Sequence, residues 1–302
     1  MGVCPRTPEP AMRLIQVSDE PVVAVAVSHD GRLLAASTGP VVSVFEWGSG
    51  QRLLNARQRD ARQLAFSPDG EWLAACGGDQ LVLWRTADGV PTQPPRPPRC
   101  KFASGVGFSP DGKHLFASRE PQRGAEERLE RWSMPDAKLV AGFDYCPAFP
   151  RLAFSPDGQY IGGVSDRRYE LRIAVTGGLN ARLLMRGEIA SAFTTFSPDS
   201  ARAVVGWDAE LHVLETQNGK VVHRLVSPDA PFRDVSFTGS GRHLATVDEA
   251  GWLKLWNPTT WTPETTHNWD AGPLTSVSCT ADGLAGVCGT RSGHLVLFDV
   301  DE

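Results

Sequence analysis

This chain contains no run of lysine and arginine, and its net charge of −5 argues against a nucleic-acid partner held by phosphate electrostatics. Its six cysteines never fall into Cys-x-x-Cys spacing. The first fourteen residues, MGVCPRTPEPAMRL, hold no apolar stretch, so neither a secretion signal nor a lipoprotein role for Cys4 is expected. Arg6 stands where an N-myristoylation motif needs Ser or Thr. No Gly-x-Ser-x-Gly elbow, phosphate-binding loop or paired-carboxylate motif occurs. These absences point to a cytoplasmic protein without membrane attachment, cofactor or catalytic apparatus.

What the chain does have is repetition. The segments VAVSHDG, LAFSPDG, VGFSPDG, LAFSPDG, TTFSPDS, VSFTGSG and VSCTADG place turn residues at Asp30, Asp69, Asp111, Asp157, Asp199, Ser240 and Asp282, spaced by 39, 42, 46, 42, 41 and 42 residues. A period near forty signals an array of small units, each too thin to bury both its faces alone. Within a unit, Pro sets one backbone angle of the turn, Asp bonds its own backbone and Gly accepts a positive φ. Apolar runs flank the turn, as in Leu64-Ala65-Phe66 and Trp72-Leu73-Ala74-Ala75-Cys76, and read as a hairpin buried on both faces. A third strand ends in a bulky residue at Phe45, Trp84, Trp132, Leu214, Trp256 and Phe298, with Ala174 the weak copy. A turn rich in Gly, Asp and Asn then leads to a more polar fourth strand. Cys76 and Cys288 occupy matching second-strand positions and read as buried free thiols.

At these residues the chain resembles the WD40 repeat family over roughly residues 13 to 300, in a divergent form like that of bacterial members. The resemblance implies an all-β fold, a seven-bladed β-propeller with four-stranded antiparallel blades. The residue after the terminal aromatic is Asp only at Asp299, and no Gly-His pair opens a unit. The family's buried Asp, His, Ser and Trp network is therefore expected to be missing from every blade, leaving apolar stacking to hold the ring. The chain ends just past the seventh third strand, so RLIQV at 13 to 17 is expected to supply that blade's outer strand, burying Leu14 and Ile15 and closing the ring. This organises the chain as a flexible, proline-rich tail at 1–11 and a single propeller at 12–302.

Two stretches interrupt the rhythm. Residues 90–99, VPTQPPRPPR, replace an outer strand with prolines that cannot donate to a sheet ladder. They also fit the PxxPxR pattern of SH3-type ligands. Residues 118–132 carry a charged insertion in one turn, a candidate partner contact.

The seven histidines follow their repeat positions. His114 and His243 share the slot of Trp72 and Tyr160, and no two are spaced to share a metal. A metal site is not expected, although a lactonase- or hydrolase-type propeller with a channel metal is the alternative reading. In the family, loops joining fourth to first and second to third strands gather on one face. Carried onto this chain, that face collects Arg62, Phe149, Arg151, Arg167, Arg168, Trp207, Phe232, Arg233 and Trp269, residue types enriched in interface hot spots. The expected function is a non-catalytic, monomeric scaffold for a protein or peptide partner, with the arginine rim favouring an acidic one.

Overall fold

The structure is a computed structural model that describes residues 12–77, 80–92, 101–120, 128–144, 151–165, 170–175, 182–186 and 192–300. The expected tail at 1–11 lies outside these residues. Among them there is no helix, and hence none long and apolar enough to cross a membrane. Their strands form seven four-stranded antiparallel sheets. Blades 1 to 7 are numbered by their inner strands, Ala24–Val27, Ala61–Phe66, Lys101–Phe108, Leu152–Phe154, Ala192–Phe196, Phe232–Phe237 and Leu274–Cys279. Each inner strand contacts the next, and the seventh contacts the first.

The alternation within each strand explains the ring. In the second strand of blade 2, Trp72–Gly77, Trp72, Ala74 and Cys76 pack against Val106, Leu115 and Trp132 of blade 3. Leu73 and Ala75 face the other way, toward Ala26, Ala35 and Val44 of blade 1. Every other interface has its own apolar cluster built in the same manner. At about 1.5–3 kcal/mol for each fully buried Val, Leu or Phe, these interfaces are the dominant stabilising contribution. Cys76 and Cys288 are buried within them, and burial raises both thiol pKa values well above their usual range.

The turn after each inner strand is tied by a network the repeat encodes. Ser28, Ser67, Ser109, Ser155, Ser197 and Thr280 each donate to the Asp two residues on. Each hydroxyl also accepts the amide five residues on. Where blade 5 has Ser in place of the turn Gly, Ser200 takes φ +60°. Its hydroxyl accepts the Asp157 amide of blade 4 at 3.0 Å, a bond glycine cannot make.

The last blade is completed by Arg13–Gln16, which pairs with His294–Leu297 in antiparallel register. Val17 N–H continues the contact to Gly293 O at 2.9 Å. Arg13 reaches into blade 1 to donate to Gly48 O and Ser49 O. One expectation is corrected here: Leu14 is 49% exposed, whereas Ile15 and Val17 form the inward face against Phe45 and Leu295. Pleating sends alternate residues to opposite faces, and in this outer strand the face that carries Leu14 is left exposed. A second correction concerns the buried polar network. In blade 6, Trp256 Nε1–H donates to Thr246 Oγ1 at 2.9 Å, so one arm of it survives. In blade 3 the matching Trp132 Nε1 is buried without a hydrogen-bond partner among the described residues.

Two outcomes follow. A chain beginning at residue 19 should melt several degrees below one beginning at residue 12, because only the former loses the closing strand; equal melting temperatures in calorimetry would refute this role. The hydrogen bond from Ser28, Ser109, Ser197 or Thr280 holds Asp30, Asp111, Asp199 and Asp282 below the usual carboxylate range. Their contribution to stability is present above the unfolded-state pKa and lost as pH falls through the folded values. Urea midpoints should therefore drop as pH is lowered below about 4, and less steeply in a variant with these aspartates changed to Asn.

Candidate functional site

The position three residues before the end of each inner strand holds Ala24, Gln63, Gly105, Arg151, Phe193, Asp234 and Ser276. This ring surrounds the throat of the central channel, where Gln63, Arg151 and Asp234 line a cavity of about 110 Å³ together with Arg62 and Thr194. Gln63 of blade 2 donates through Nε2 to Leu152 O at 2.6 Å. Its Oε1 accepts Leu152 N–H at 2.8 Å and Val106 N–H at 3.0 Å, so one amide joins blades 2, 3 and 4. Asp234 of blade 6 accepts Arg151 Nη1 at 2.8 Å, Val235 N–H at 3.0 Å and Val277 N–H at 3.1 Å, joining blades 4, 6 and 7. Burial raises the Asp234 carboxyl pKa; the Arg151 charge and the two amides pull it the other way.

The other end of the channel differs in chemistry. It opens into a cavity of about 690 Å³ walled by Phe66, Phe108, Phe196 and Phe237 and by turn prolines such as Pro68 and Pro198. The hydroxyls of Ser28, Ser67, Thr238 and Thr280 there are engaged in their own turns. Cys279 also lines this end, and burial pushes its thiol up to about 12. Among the described residues, no group of three or more His, Cys, Asp or Glu is placed to hold a metal ion.

A family model described as WD domain, G-beta repeat matches residues 51–85. That segment runs from the outer strand of blade 1, Arg52–Arg57, through the first three strands of blade 2, so one sequence repeat straddles two blades. This segment is similar to a WD40 repeat. An uncharacterized WD repeat-containing protein of Synechocystis is 26% identical over 147 residues, 47% of this chain and 41% of that one. A second such protein, from Schizosaccharomyces pombe, is 34% identical over 97 residues, 28% of this chain and 24% of that one. The match thus spans less than half the length of each relative. The low identity agrees with the divergent repeats of this chain.

The expected loop-face residues separate into distinct environments. Phe149, Arg167 and Arg168 lie outside the described residues, and of Trp207 only the backbone is described, paired with Ala192 and Glu210. Phe232 is 3% exposed in the core between blades 5 and 6, because its position at the head of the inner strand turns the ring into the interface. Trp269 packs against the core between blades 6 and 7 and stacks on His267 at 5.4 Å. Arg233 pairs with Glu249 at 2.7 Å, which also pairs with Arg291 at 2.8 Å; bonds from both guanidiniums hold the Glu249 carboxyl below its usual range. Arg151 is committed to Asp234. Arg62 alone among the described candidate arginines is exposed, without an ion-pair partner among the described residues, and lines the throat. Gln63 and Asp234 were not singled out from sequence. Aligning the repeats by the ends of their inner strands would have shown four unlike polar residues, Gln63, Arg151, Asp234 and Ser276, at one ring position.

Arg151 therefore braces the ring and is not a free rim charge. Arg151→Met should cost on the order of 3 kcal/mol near neutral pH, as expected for a buried carboxylate deprived of its counter-charge. The loss should shrink toward acid: a carboxyl with a raised folded pKa contributes stability below its unfolded pKa and loses it as pH rises through the folded value. Adding Asp234→Asn should flatten that dependence in urea titrations. A pH-independent loss in the single variant would contradict this account.

Proposed function

We propose that this chain is a WD40-type, non-catalytic platform, acting in the cytoplasm, that binds a protein or peptide partner over the channel throat on the face formed by the fourth-to-first and second-to-third strand loops. The observation that carries the reading is Arg62, an exposed guanidinium without an ion-pair partner among the described residues, at the edge of a polar cavity. Around it, Arg151 and Asp234 neutralise each other, so the described residues lining the throat keep one net positive charge. A partner carboxylate is the group that complements it, through a charge-assisted and preferably bidentate bond. The cavity of about 110 Å³ suits one side chain, with the surrounding loops supplying the remaining contact area.

Affinity capture with the folded chain, followed by mass spectrometry, identifies the partner. Arg62→Glu should then weaken its binding by about tenfold or more while leaving the melting temperature unchanged, since a rim charge acts on association and not on folding. Binding should also weaken as salt is raised. Undiminished binding by the folded Arg62→Glu variant would place the contact elsewhere.

A further inference from the structure

The turn from third to fourth strand contains a residue of positive φ whose N–H returns to the carbonyl four residues back. Blades 1, 2 and 5 use Gly50, Gly89 and Gly219 there, with φ of 70°, 67° and 74°. Blade 6 uses Trp261, at φ 57°, with its N–H on Asn257 O at 2.7 Å. A bulky side chain in this region is strained, and such strain gathers where a side chain is held for binding. His223 stacks on the indole at 5.9 Å. The Trp261 side chain lines a cleft of about 380 Å³ between blades 5 and 6, with Pro198, Pro258, Phe237, Asp199 and Arg202. Asp199, whose carboxyl the Ser197 hydroxyl and the nearby Arg202 hold below its usual range, offers the cleft a carboxylate, while Arg202 is shared with Glu215 at 3.8 Å.

An indole beside proline rings, next to a fixed carboxylate, suits an extended chain of prolines flanked by a cation. Proline segments dock on aromatic surfaces without needing to order their backbone, and arginine pairs with a carboxylate or stacks on an indole. This chain carries such a sequence in Pro94-Pro95-Arg96-Pro97-Pro98-Arg99, whose conformation lies outside the described residues. It connects Thr92 in the outer strand of blade 2 to Lys101 at the inner strand of blade 3. An out-and-back excursion of that length reaches about 15 Å. The cleft lies about three blades away at roughly 10 Å per packed sheet, so the segment cannot fill it in its own chain.

We propose that the Trp261 cleft receives the 94–99 segment of a second copy of this chain, so that the protein self-associates instead of remaining the monomer expected from sequence. The test is sedimentation velocity of the full chain over a concentration series. Wild type should associate, and a synthetic peptide of residues 90–99 should bind the chain and dissociate the assemblies. Trp261→Gly should fold, since glycine stands at this place in three other blades, and should weaken association by about tenfold or more. Replacing Pro94, Pro95, Pro97 and Pro98 by Ala should do the same from the other side of the contact. A wild-type chain that stays monomeric overturns the proposal, even if it binds the peptide. So does a Trp261→Gly variant that associates like wild type.

Discussion

Each blade has two apolar faces and only four strands between them, and a sheet that thin cannot cover itself. This constraint generates the rest of the molecule. Trp72 and Leu73, adjacent in sequence, bury against different neighbours, so each blade needs one on both sides. In a closed ring, all seven blades satisfy that need with no apolar face left over. The borrowed strand at Arg13–Gln16 belongs to the same logic: the sequence repeat begins with an outer strand, so the first copy of that strand finishes the last blade.

Closing a ring brings the inner strands together around an axis, where nothing apolar is required and polar groups meet from blades far apart in sequence. The throat of this protein exploits that proximity. Gln63 and the Arg151–Asp234 pair link blades 2, 3, 4, 6 and 7 through bonds between 2.6 and 3.1 Å. A carboxylate that would be costly to bury alone is held by one guanidinium and two amides. The same bracing consumes Arg151, just as Glu249 consumes Arg233, and leaves Arg62 available. The two ends of the channel also diverge. The throat is polar, and the opposite mouth is ringed by phenylalanines and turn prolines, with the hydroxyls of its turns already engaged.

Strand order, blade count and the closing strand were legible in the chain because turn chemistry and alternation are local properties repeated seven times. The burial of Cys76 and Cys288 was legible for the same reason. Less of the candidate site was. Of two adjacent residues, Leu14 and Ile15, sequence could not say which faced inward. Arg151 and Arg233 look like Arg62 in sequence, since residue type carries no record of a partner 83 positions away or of a glutamate in another loop. Phe232 and Trp269, drawn as surface anchors, serve the interfaces beside them because their strand ends lie where blades meet.

Sequence by itself determined the repeating unit, its turns and the number of copies, since each depends on contacts within a few residues. Only the tertiary structure decided which charges remain free, which aromatic rings are buried and which blades are tied across the axis. Those outcomes depend on distances between residues that the chain separates by two or more repeats and the closed ring brings within a hydrogen bond.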